Sequence, residues 1–375
     1  MEKETRTLET LQLSEGITVL GYWKPGLAFK QTLHEKTELR RLRTLRHTRF
    51  GNWLVGLSPI TRYPVLLLSF PEYCLKAFFI SLWNRPQFIA CHNLILLPLA
   101  AIIKVLCRSR LVYVPHELET HRTGLVGPLK TVSKISEKLF IRFVDSTVVV
   151  CDPIARWYES AYRIPKVHVV PNVPYHPCPG NLFPRTNLLR EHFSIPENDL
   201  ICIYQGLVSK GRGVEDLLDL FAELPPHLHL VVMGYGELTE LVKSKSHEHP
   251  NIHFKEAVPV GEILAWTSSA DVGLFFNSKS MTLSYQYSLP NKFFEYAIGG
   301  LFIVISDNFV EQCRYLHEHQ LGMAVTPKLE SLKQTLLSLS KSQVAESVSR
   351  SAEFRRTIGW QSFAEVYRYA YTGDE

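Results

Sequence analysis

Two stretches in the second half of the chain set cations beside backbone that suits an anion. In YQGLVSKGRG (204–213) a strand-like run ends in glycines and a helix pattern follows, so Lys210 and Arg212 bring two positive charges to a helix start. Charge-assisted contacts from two such groups suit a diphosphate. Gly206 and Gly211 have the spacing of the nucleoside-triphosphate phosphate loop, but Arg212 and Gly213 stand where that loop has its Lys and Ser/Thr. Without the hydroxyl that holds magnesium, a loop of that kind is not expected. In SYQYSLPNKFFEYAIGGLFIVISD (284–307), Ser288 and Pro290 read as the opening of a helix that Gly299-Gly300 ends. Such a start carries unsatisfied N–H groups and a partial positive charge. Lys292 adds a full charge, and Glu295, one turn on, suits hydrogen bonds from sugar hydroxyls. Two plainer readings stand beside these: a glycine turn with solvated bases, and an ordinary capped helix with a solvated Lys and Glu.

His116 closes a strand-like LVYVP run in the first half, where an imidazole can accept or donate a proton near neutral pH. A hydrogen-bonded structural histidine fits the same position. Gly234-Tyr-Gly236 follows the run LHLVVM, but Thr239 stands where a dinucleotide fingerprint has its third glycine. No Asp-x-Asp occurs, and no His, Cys and acid cluster has metal spacing, so protein cations are expected to balance any bound phosphate and no cofactor or metal is expected.

The elements that must position these residues alternate. In the first half, Ile17–Tyr22, Trp53–Leu57, Gln87–Cys91, Leu111–Pro115, Ser146–Val150 and Val167–Val170 read as strands, with helices over Leu94–Cys107, Lys130–Arg142 and Ile154–Tyr162. Residues 171–196 hold six prolines and read as a linker. The pattern then restarts through Leu200–Tyr204, Leu228–Met233, Ile252–Phe254, Val272–Phe276 and LFIVIS, and ends in a helical tail over Leu329–Tyr371 that is expected to cross back onto the first domain. Strands alternating with helices imply α/β architecture with parallel sheets, whose ligands collect at the carboxyl ends of the strands.

A length of 375 residues suits two domains, and 46% hydrophobic with 21% charged residues is the composition of a folded protein. The expected division is 1–180, 195–350 and a tail over 351–375. A net charge of +5 is too small to demand nucleic acid, and none is expected as a partner. Residues 40–49 (RRLRTLRHTR) carry five arginines and no acid, which suits phosphates, an anionic membrane surface or simply solvent. The apolar stretches 64–83 and 88–107 are interrupted by charges and read as buried helices rather than membrane spans. Seven scattered cysteines without a C-x-x-C pair favour a reducing compartment, and the charged N-terminus lacks an apolar signal core. A cytoplasmic protein is expected, peripheral on the inner membrane face if the arginines and apolar helices meet lipid.

The second half resembles the retaining GT-B glycosyltransferases of the large family four, through YQGLVSKGRGVEDLL (204–218), LVVMGYGEL (230–238), NIHFKEAVPVGEI (251–263), SADVGLFF (269–276) and SLPNKFFEYAIGGLFIVISD (288–307). The first half is similar through VYVPHELE (112–119), ISEKLF (135–140), VDSTVVVC (144–151) and VHVVPNV (167–173), so the resemblance spans roughly residues 85–320. It implies two Rossmann-like domains facing each other across a cleft, and transfer of a sugar from a nucleoside-diphosphate sugar (UDP- or GDP-linked) to a hydroxyl of a glycan or lipid-linked acceptor in cell-surface polysaccharide or glycolipid synthesis. Carried over by position, Lys210 and Arg212 face the diphosphate with Gly206 in their loop. The backbone of Ser288, Leu289, Pro290, Asn291 and Lys292 cradles the phosphates. Glu295 holds the ribose, Ala257 and Val258 meet the base, and His116 lies beside the transferred sugar. Tyr287 departs from the pattern, since much of that family has a second carboxylate there. A sugar-nucleotide epimerase or hydrolase, or a non-catalytic partner subunit with the same fold, are the alternatives the residues leave open.

Overall fold

The structure is a computed structural model that describes residues 2–48, 53, 59–122, 124–164, 167–279 and 281–373, without the side chains of 59–67. The expected strand over Trp53–Leu57 falls outside the described residues, apart from Trp53. The chain divides into one unit of residues 1–120, 124–170 and 363–375 and a second of 121–123 and 171–362. It is α/β throughout, and each unit is built on a parallel sheet.

The first unit begins with a small sheet of β1 (Ile17–Tyr22), β2 (Lys30–His34) and β3 (Thr37–Leu42) in the order β1-β3-β2, β1 parallel and β2 antiparallel to β3. The arginine-rich run therefore starts inside a strand. Its charges are partly engaged there: Arg40 pairs with Glu38 at 3.0 Å, Arg41 donates to the Ala28 carbonyl at 2.8 Å, and Arg43 to the His47 carbonyl. Arg49 lies outside the described residues. A long helix, Pro59–Asn84, leads to the main sheet of β4 (Phe88–Cys91), β5 (Arg110–Tyr113), β6 (Ser146–Val149) and β7 (Val167–Val169), all parallel and in chain order. Right-handed crossovers between strands in that order put the helices Leu97–Cys107 and Gly127–Phe140 on one face. On β5, β6 and β7 lies the last helix, Ala364–Thr372, which also meets the first, Glu2–Thr10. The end of the chain thus returns to its beginning, and the Tyr371 hydroxyl donates to Glu4 Oε1 at 2.6 Å.

The second unit holds six parallel strands, β8 (Leu200–Leu207), β9 (Leu228–Tyr235), β10 (Ile252–Glu256), β11 (Val272–Phe275), β12 (Phe302–Ser306) and β13 (Gly322–Val325), in the order β10-β9-β8-β11-β12-β13. All five residues of β12 are buried, as an uninterrupted apolar run in the middle of a parallel sheet must be. The proline-rich stretch is bonded to this unit. Arg185 and Arg190 hold Asp271 at 3.0 and 2.7 Å, and Thr186 donates to the Ala265 carbonyl. Of the helical tail, Leu329–Ser338, Lys341–Arg350 and Ala352–Thr357 belong here. Their anchor is Arg355, whose fully buried guanidinium donates to the carbonyls of Ala297 and Leu301 and to Ser351.

Candidate functional site

Strand order in the second unit reverses between β8 and β11, and crossovers leave that point on opposite faces, opening a crevice at the carboxyl edge. The loop after β8, the end of β11 and the start of the helix Asn291–Ile298 all lie at this edge. Glycine makes the edge possible where chains nearly touch. A Cβ on Gly213 would sit 1.9 Å from the Phe276 carbonyl oxygen, and one on Gly234 1.8 Å from that of Gly206. The Gly234-Tyr-Gly236 pair is therefore a packing requirement between β9 and the β8 loop, with no need of a dinucleotide to explain it. Backbone bonds tie the loop further: the Lys210 N–H donates to Glu237 Oε1 at 2.9 Å and Asn277 Nδ2 to the Gly211 carbonyl at 3.0 Å.

Lys292 is the charge at the centre of this edge. Its stem passes over Gly206, and its ammonium lies 4.2 Å from the Tyr204 ring centroid and 4.4 Å from that of Phe275. Burial, then the repulsion of Arg212, push its pKa down to about 7, with Glu295 opposing. Arg212 is exposed, with its guanidinium 5.7 Å from the Tyr285 ring. Two cations near enough to oppose each other, one of them desolvated, form a site that an anion relieves.

The helix itself departs from expectation at its start. Pro290 is the residue before the first turn and gives no side-chain cap, and Ser288 does not cap either: its hydroxyl donates to the Tyr285 carbonyl at 2.8 Å. Ser288 is instead held from outside the helix, by Gln312 Nε2 on its carbonyl at 3.2 Å. Buried Leu289, Phe293 and Phe294 fix the helix against the sheet, so the N–H groups of Asn291 and Lys292 open a turn without a capping side chain of its own. Tyr287, where the carboxylate of the resemblance would stand, is half-buried.

Glu295 is held by a residue that sequence reasoning missed. Gln205 Nε2 donates to Glu295 Oε2 at 2.5 Å, while Gln205 Oε1 accepts from Thr267 at 2.6 Å and the Gln205 N–H donates to the Tyr296 hydroxyl at 3.1 Å. Thr267 fixes the Gln205 side-chain amide and Tyr296 its backbone N–H, and the amide in turn orients the Glu295 carboxylate. A lone amide in the apolar strand LICIYQGL was the available signal. Gln205→Leu keeps the volume and removes the donor. About tenfold weaker binding of a nucleotide is expected, with the loss concentrated on ribonucleotides over 2′,3′-dideoxy analogues, read by titration calorimetry. Ala257, exposed, and Val258, half-buried, directly follow β10 at the same edge of the sheet.

In the first unit, His116 follows β5 and is joined to a chain of three further residues that the sequence did not suggest. His116 Nε2 lies 3.2 Å from His92 Nδ1, with the rings stacked at 5.3 Å, and His92 Nε2 lies 3.2 Å from Glu4 Oε2. Glu4 is buried and takes the Tyr371 hydroxyl on its other oxygen. His92 Nδ1 and His116 Nε2 share one proton between them, so one ring donates to the other, and His116 Nδ1 is the nitrogen at the end of the chain. Desolvation, with His92 second, pushes the His116 pKa down to about 4, which keeps the ring neutral at pH 7. The group offered here is an oriented neutral imidazole, not a cation.

Residues 28–173 match the family model of Glycosyltransferase Family 4. No curated protein sequence matches the chain. Among solved structures it is similar to sucrose-phosphate synthase from Thermosynechococcus elongatus, at 15% identity and a TM-score of 0.64 over 98% of this chain and 94% of that one. It is also similar to WaaG, a glycosyltransferase involved in lipopolysaccharide biosynthesis, at 14% identity and 0.60 over 99% and 95%. A third likeness is to HepE of Anabaena in complex with UDP-glucose, at 14% and 0.62 over 80% and 82%. At these identities the likeness is one of fold.

Proposed function

We propose that this chain, a GT-B protein with a Glycosyltransferase Family 4 domain, moves a sugar from a nucleoside-diphosphate sugar to a hydroxyl of a glycan or lipid-linked acceptor, with retention of configuration. The observation that carries the reading is the meeting of Lys292, Arg212 and the start of the helix Asn291–Ile298 at the strand reversal, beside a carboxylate oriented by Gln205. As the bond between the anomeric carbon and the diphosphate oxygen lengthens, negative charge grows on the diphosphate and positive charge on the sugar. Lys292, Arg212 and Lys210 stabilise the first, as preorganised charge in a desolvated site does best. Glu295 accepts from the ribose hydroxyls, Ala257 and Val258 border the base, and neutral His116 hydrogen-bonds a sugar hydroxyl. In three similar structures the bound molecules are UDP, with or without glucose, and UDP-glucose, which favours a uridine nucleotide.

The test is transfer of labelled sugar from UDP- and GDP-linked donors to glycan and lipid-linked acceptors, with the anomer of the product read by NMR. Product with the donor's own anomeric configuration is expected. Inverted product refutes retention, and donor consumption indifferent to acceptor would make the chain a hydrolase. His92→Phe, which frees His116 to turn, is expected to lower kcat about tenfold and leave nucleotide affinity unchanged.

A further inference from the structure

Three neighbouring helices of the first unit turn apolar side chains to solvent. Leu68, Leu75, Phe79 and Trp83 form one stripe on the helix Pro59–Asn84, with Phe79 63% and Trp83 90% exposed. Ile102, Val105 and Leu106 are exposed on Leu97–Cys107, which packs against that helix. Val132, Ile135 and Leu139 are exposed on Gly127–Phe140, which packs against the second. The inner sides of the first two meet β3 and the strands β4 and β5, and the third turns Glu137 to Tyr113 of β5, so the exposed stripes are not needed for the core.

Charge on the same helices is one-sided. Their only acids are Glu72, bonded to Lys76 at 2.6 Å and to the Leu45 N–H, and Glu137, buried under the hydroxyls of Tyr113, Tyr158 and Tyr162. Lys134 and Lys138 are exposed beside the apolar stripe of the third helix, with Lys130 one turn before them. Among the described residues no helix is long and apolar enough to cross a membrane. We propose that this face lies on an anionic lipid bilayer. The apolar stripes enter the headgroup boundary, Trp83 sits where indole rings favour the interface, and the lysines meet the lipid charge. A protein partner of ordinary surface composition would need acids to match these cations and has no reason to favour a face stripped of its own. The arginine-rich run is the less suited surface, because Arg40, Arg41 and Arg43 already bond within the unit.

The full chain is sedimented with vesicles of phosphatidylcholine alone and with vesicles rich in phosphatidylserine, whose negative surface potential attracts basic segments, at low and high salt. Partition about tenfold stronger to the anionic vesicles, lost at high salt, is expected. Phe79→Ser with Trp83→Ser, and separately Lys134→Glu with Lys138→Glu, are each expected to lower it about tenfold without moving the thermal midpoint. All four side chains are exposed, and the two pairs lie on different helices, so one failing to fold leaves the other. No partition, equal partition to both vesicle types, or partition unchanged in the variants overturns the proposal. So does a dimer in solution, without vesicle binding, that Phe79→Ser and Trp83→Ser dissolve.

Discussion

Lys292→Met is expected to stabilise the ligand-free chain and to weaken nucleotide-sugar binding about a hundredfold, the scale of a desolvated charge-assisted contact. Both effects have one origin. In the fold the Lys292 pKa is pushed from 10.5 down to about 7. An unfolded chain holds that proton up to pH 10.5, so stability rises with pH between 7 and 10.5, and the destabilising contribution is complete below pH 7. Methionine fills the stem's place over Gly206 without the charge. Discounted for the partial exposure of the group, this amounts to about 1 kcal/mol, or a few degrees in a unit of this size. Binding reverses the balance, because a diphosphate favours the ammonium. A nucleotide sugar has no phosphate titrating near neutrality, so its dissociation constant should rise by up to about tenfold per pH unit above 7. Calorimetry in buffers of different ionisation heat should show uptake of up to one proton at pH 8 in the wild type and less in the variant. Affinity flat from pH 6 to 9 would contradict the role given to Lys292.

Gly213→Ala is expected to destabilise the second unit by about 3 kcal/mol or more, the range of a forced backbone shift in a packed site. Gly213 has φ +77°, and its new methyl would meet the Phe276 carbonyl oxygen at 1.9 Å, with the carbonyl carbon at 2.9 Å. Neither partner is a flexible side chain, so β11 or the loop must move. The Asn277–Gly211 bond goes with it and Arg212 leaves the edge, so nucleotide binding should fall as the thermal midpoint drops by roughly 6–12 °C. Gly261→Ala is the control: nothing lies within 4 Å of its Cβ and its φ is not left-handed, and a change within about 0.5 kcal/mol is expected.

The strands of the second unit were legible because buried parallel strands are written as apolar runs, LHLVVM and LFIVIS among them, and because glycine marks the turns between strand and helix. Lys292 and Glu295 were legible for the same reason, as polar residues at fixed places on a helix whose other face is apolar. β2 and β3 were not: KQTLH and TELRRL have no apolar face to give them away, and they hold together by edge pairing and by Arg40 and Arg41 bonding along the sheet. Nor was the Glu4–His92–His116 chain, whose members come from the N-terminal helix and the ends of two strands and meet only when the last helix closes on the first. A serine before Pro-Asn suits a helix start locally, but in the fold the Ser288 hydroxyl donates back to the Tyr285 carbonyl, a bond that local sequence does not announce.

The most direct test is the thermal midpoint of the wild type and of Glu295→Ala with UDP, GDP, ADP and CMP, each in the presence of chelator. A ligand at a hundred times its dissociation constant stabilises the folded state by about 2.7 kcal/mol. The account predicts that one nucleoside diphosphate raises the wild-type midpoint by several degrees without metal, and that Glu295→Ala loses most of that rise. A rise that is the same in both proteins, or no rise with any of the four, would contradict it.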